Sequence, residues 1–136
     1  MSMTLTIELS ESGFQRDPEF PDSYFNAGAL PYISYELDKL IEGTEILPLS
    51  EYTYSGDMLT EEEWADMAQK PPEKQWFAAE DGLNTVDHMI NLLKSRDPKE
   101  QLESCTVEDA LYELNLVRTI LNHARERGER FSFDVG

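Results

Sequence analysis

The chain has 136 residues, 40% of them hydrophobic and 29% charged, with a net charge of −17. This length fits one domain, residues 1–136, with a core of its own, and the charge argues against nucleic-acid binding, where affinity comes largely from Lys and Arg displacing counterions. Cys105 is the sole cysteine, which excludes an intrachain disulfide, and no run reaches the roughly 18 apolar residues of a membrane span.

In chain order, "TLTIEL" comes first. Leu5, Ile7 and Leu9 alternate with Thr4, Thr6 and Glu8, the pattern of a strand with one buried face. Residues 10–30 are broken by Pro18, Pro21, Gly13 and Gly28 and are expected to be irregular. Phe14, Phe20, Tyr24 and Phe25 should pin this loop down, or else line a groove. A first helix is expected over Tyr32–Glu42, with Pro31 at its entry, Gly43 at its exit, and Ile33, Leu37, Leu40 and Ile41 on one face. A third strand is allowed around Glu45–Leu49 or Tyr52–Tyr54.

A short second helix is expected over Glu61–Gln69. Thr60 and Glu63 match a capping box, the three glutamates suit the positive helix start, and Pro71 and Pro72 stop it. A third helix runs from Glu80 or Leu83 to Ser95, with Leu83, Val86, Met89, Ile90 and Leu93 at helical spacing. The fourth and clearest spans Val107–Arg127. Thr106 caps it, Glu108 and Asp109 stand in its first turn, Arg125 and Arg127 in its last, and Gly128 ends it. "RFSFDVG" closes the chain with Phe131, Phe133 and Val135 alternating as in the first strand. The expected fold is therefore α+β: a small antiparallel sheet containing the N- and C-terminal strands, packed by about four helices.

No G-x-G-x-x-G, P-loop or G-x-S-x-G pattern is present, and the histidines lack metal-ligand spacing. No cofactor and no metal are therefore expected. Cys105 precedes a helix start, which favours a thiolate, but Glu103, Glu108 and Asp109 oppose it. His88, beside Asp87, lies off the apolar stripe of its helix. His123 stands near a helix C-terminus, where a positive imidazole is favoured.

Charge is unevenly placed. Residues 1–68 hold 15 acids and 2 bases, for a net of −13; residues 69–136 hold 13 acids and 9 bases, for −4. Both tryptophans fall in "TEEEWADMAQKPPEKQWFAAEDG". Each suits a core anchor, since a buried tryptophan hides some 150–250 Å². That is the first reading of both rings; the alternative is an aromatic contact ringed by acids that steer a basic partner. The candidate binding surface is Tyr52, Tyr54, Glu61, Glu62, Glu63, Trp64, Asp66, Glu73, Trp76, Glu80 and Asp81. The composition resembles that of small acidic immunity proteins. The leading expectation is a cytoplasmic, non-catalytic binder of a basic protein, acting as an inhibitor, immunity-type protein or adaptor. Two alternatives stand beside it: a small hydrolase or ligand-binding enzyme using His88 or His123 with nearby acids, and a nucleic-acid mimic.

Overall fold

The computed structural model describes residues 4–53, 60–70, 75–103 and 105–135. Strands β1 (Leu5–Leu9), β2 (Gly13–Phe14), β3 (Phe77–Ala78) and β4 (Arg130–Val135) form one antiparallel sheet in the order β2-β1-β4-β3. The two terminal strands are thus its central pair. Leu5 opposes Val135, Ile7 opposes Phe133 and Leu9 opposes Phe131. Cross-strand partners share a face, so five fully buried residues, Leu5, Ile7, Leu9, Phe131 and Phe133, line one side. A slip of one residue would turn all of them to water.

That face is covered by α3 (Ala79–Lys94) and α4 (Val107–Arg127), which pack most extensively on each other. The helical spacing of Val107, Leu111, Leu114, Val117, Leu121 and Ala124 predicts one apolar stripe on α4; all of these are buried except Leu111, which is half-buried. Its boundaries follow from its ends. Thr106 accepts from the Asp109 amide while Asp109 accepts from the Thr106 amide, and Gly128 takes a left-handed conformation at φ 70°. Tyr52, Phe77, Phe131 and Phe133 form an aromatic cluster with centroids 5.1–6.4 Å apart. Gly82 of α3 lies directly on Phe131, and a Cβ there would stand 2.5 Å from its Cζ.

Several boundaries depart from the sequence reading. Helix α1 is Leu30–Leu40, two residues earlier than expected. Its N-cap residue, Ala29, has no side chain able to cap; Glu113 of α4 accepts from the Ala29 amide instead, at 3.0 and 3.1 Å. Helix α2 is only Glu61–Asp66, closed by Ala68 in a left-handed conformation at φ 54°, before the prolines are reached. No strand forms at 45–49. That stretch makes turns and leads into a 3-10 turn, Leu49–Tyr52, whose first amide donates to Asp38 at 3.0 Å. Thr53 makes a single parallel bridge to Phe133, and Tyr54 lies outside the described residues.

The 10–30 segment is more regular than its prolines and glycines suggest. It contains β2, and its backbone returns to β1 through reciprocal 2.9 Å bonds between Leu5 and Ala27. Gln15 donates to Ile7 at 3.0 Å and accepts from Phe25 at 2.8 Å. Backbone bonds, more than rings, pin this loop: of its four aromatics Phe25 alone is buried. No helix among the described residues is long and apolar enough to cross a membrane.

Candidate functional site

Helix α2 carries the acids that sequence singled out. Its capping box is present: Thr60 Oγ1 accepts from the Glu63 amide at 3.2 Å, and the Glu63 carboxylate accepts from the Thr60 amide at 3.3 Å. Glu63 is thus occupied with the helix start. Glu61, Glu62 and Asp66 are exposed, and none has a base beside it among the described residues. Trp64 is half-buried, as is Trp76 ahead of β3. No residue of α2 is fully buried, and Trp64 is its one side chain withdrawn from solvent.

The remaining members of the candidate surface fall in different places. Tyr52 is 2% exposed and belongs to the core. Its hydroxyl donates to the Asp81 carbonyl at 3.2 Å and lies 3.4 Å from Thr85 Oγ1, which itself donates to the Leu47 carbonyl at 2.7 Å. Burial pushes its phenol pKa up, with Asp81 and Glu51 adding to the rise against the Thr85 hydrogen bond. Glu80 and Asp81 are exposed in the first turn of α3, where they complement the helix dipole. Tyr54 and Glu73 lie outside the described residues.

A second surface gathers residues from three parts of the chain. The 17–29 loop, the start of α1 and the outer side of α4 enclose a groove of about 610 Å³. Its walls carry three aromatic rings, Phe20, Tyr32 and Tyr112, which are 63%, 37% and 49% exposed. Its acids are Asp17, Asp109 and Glu113, and the lining contains no Lys, Arg or His. Each acid also serves the backbone. Asp17 accepts from the Glu19 and Phe20 amides at 2.8 and 3.3 Å, Asp109 caps α4, and Glu113 caps α1. Burial raises the Glu113 carboxyl above its usual value, against the lowering effect of the backbone bonds at Ala29, Leu30 and Gly28.

Cys105 also lines this groove and is buried. Burial pushes its thiol up, and Asp109, Glu113 and Glu36 push it further, so it is a poor nucleophile. Sequence had treated the loop aromatics chiefly as anchors. Tyr112 and Glu113 were absent from that reading because their partners lie on α1 and the loop. The available signal was that both stand off the buried α4 stripe.

A further cavity, about 460 Å³, is lined by one continuous stretch, residues 38–48, and so is the concave side of its own turn. His88 is half-buried on α3 and His123 is exposed on α4; neither lines the groove or the 38–48 cavity. No protein-family model, no curated protein and no solved structure matches this chain.

Proposed function

We propose that this chain is a non-catalytic, cytosolic binding domain for a basic protein, acting as an inhibitor, immunity-type protein or adaptor does. The observation that carries the proposal is α2, a helix with no fully buried residue that presents Glu61, Glu62 and Asp66 to solvent beside a half-buried Trp64. Trp64 is the one side chain of this helix withdrawn from solvent, and its acids are left exposed around it. Acids set around an aromatic ring are an arrangement that steers and then holds a cationic surface. The charge distribution agrees, since residues 1–68 carry a net −13, and the described ion pairs, Arg96–Glu100 and Arg118–Asp87, both join residues of the other half. A cytosolic setting is supported by a lone cysteine with no intrachain partner.

The test is capture from source-cell lysate on the immobilised chain, at low and high salt, beside a variant carrying Glu61→Lys, Glu62→Lys and Asp66→Lys. One basic protein recovered stoichiometrically, released by salt and lost with the variant, is the expected result. Recovery indifferent to both salt and charge reversal would overturn the proposal.

A further inference from the structure

The groove between the 17–29 loop, α1 and α4 combines exposed aromatic rings with carboxylates. Exposed aromatic rings cost solubility, and here three of them converge on one concavity. Three carboxylates converge on the same concavity with no cation in its lining. Two of these, Asp109 and Glu113, face helix starts, each equivalent to about half a positive charge. Asp17 is not placed at a helix start. The helix starts offset about one unit of the three, so the groove retains a charge of about −2. The base of the neighbouring loop does not enter it. Arg16 sits 4.7 Å over the Tyr24 ring and donates to the Asp22 carbonyl at 3.1 Å.

Aromatic faces and carboxylates together select for a flat cation. A guanidinium stacks on a ring through its face and offers its edge to carboxylates in a bidentate fork; an ammonium presents a compact, strongly hydrated point charge and does neither as well. An anion or a phosphate backbone is repelled by the same acids. We infer that this groove receives an arginine side chain from a basic segment of a partner protein. The inference rests on the basic-partner reading above and adds to it a site remote in sequence from α2.

The test uses the full chain, labelled with nitrogen-15, and three end-blocked tripeptides: tri-arginine, tri-lysine and tri-citrulline. Citrulline keeps the shape of arginine and removes its charge. With tri-arginine, saturable amide shifts are expected at Gly28, Ala29, Tyr32, Tyr112 and Glu113; tri-lysine binds more weakly and tri-citrulline not at all. Tyr112→Ala and Phe20→Ala remove exposed rings, so the fold is retained, and each should weaken tri-arginine by roughly tenfold, which corresponds to about 1.4 kcal/mol. The α2 charge-reversal variant should bind tri-arginine with unchanged shifts in the groove. Shifts spread over the whole acidic surface, equal binding of tri-lysine, or indifference to Tyr112→Ala would overturn the groove while leaving the α2 reading intact. No binding of tri-arginine together with salt-sensitive capture of a basic protein would also overturn the groove alone.

Discussion

Replacing Gly82 by alanine tests the closest approach in the core. Alanine is the better helix former by about 0.8–1 kcal/mol, so an open site would be stabilised. At position 82 the new methyl would stand 2.5 and 2.7 Å from Phe131 Cζ and Cε1 and 3.1 Å from Leu121 Cδ1. Carbon atoms in good contact lie about 3.5–4.0 Å apart, so the ring must retreat by about 1 Å. It has little room. Phe131 is fully buried, its backbone is paired with both Leu9 and Phe77, and its ring lies 5.1 Å from Phe133 and 5.4 Å from Tyr52. Overpacking of this kind costs about 1–3 kcal/mol. After the helical gain, a net loss of up to about 2 kcal/mol is expected, lowering Tm by up to about 7 °C. Urea unfolding followed by tryptophan fluorescence and far-UV circular dichroism measures it. Phe131→Leu in the same chain should remove part of the penalty, a coupling that independent sites do not show. Gly82→Ala more stable than the parent by about 0.8–1 kcal/mol would refute the reasoning, because the full helical gain would mean that the aromatic cluster yields without cost.

Other expectations concern single side chains. Glu129 is 5% exposed and accepts from the Glu11 amide at 3.0 Å, the Ser12 amide at 2.7 Å and the Ser12 hydroxyl at 2.8 Å. Burial opposes its ionisation most strongly, but these bonds and Arg127 together hold its carboxyl below the usual value. Its contribution to stability is therefore complete above the ordinary glutamate pKa, about 4.3, and is lost as pH falls through the lower folded value. Glu129→Ala should cost about 2–4 kcal/mol at neutral pH and flatten the acid limb of an unfolding titration. Glu113→Ala removes the cap of α1 and should cost about 1–2 kcal/mol, with hydrogen exchange accelerated first at Ala29 and the following turn. Ala68→Gly relieves the left-handed residue that ends α2 and should stabilise that helix by about 0.5–1 kcal/mol, read as slower exchange there. Leu114→Ala, in the middle of the buried α4 stripe, should cost about 2–5 kcal/mol in urea unfolding.

What sequence made legible was what is decided locally. The α4 boundaries follow from Thr106, Asp109 and Gly128, all within one turn of the ends they fix. The two terminal strands announced their buried faces by alternation, and the sheet brought those faces together. The α1 start was misplaced because its cap comes from Glu113, a residue 84 positions away. A third strand at 45–49 did not form because Asp38 and Thr85 draw that segment into a turn against α1 and α3. Tyr52 looked like a surface ring beside acids, yet its hydroxyl finds partners inside, at Asp81 and Thr85. The α2 acids were visible as a run of charge. The groove was not, since its rings and carboxylates come from stretches that only the folded chain brings together.

The pairing of β1 with β4 has a topological consequence. Thr6 bonds Asp134, 128 positions along the chain, so the middle of the sheet is its most non-local contact. On the ribosome β1 emerges long before its partner and must wait with an apolar face unsatisfied. Folding should accordingly be slow for a chain of this size, since loop closure precedes the reward for it. The geometry also describes an unclosed hairpin. Leu5 and Val135 stand opposite each other, so a short turn joining them, with new ends opened at the exposed 96–100 connection, would make the most distant pair the most local one. Such a circular permutant should keep the same sheet and reach it sooner.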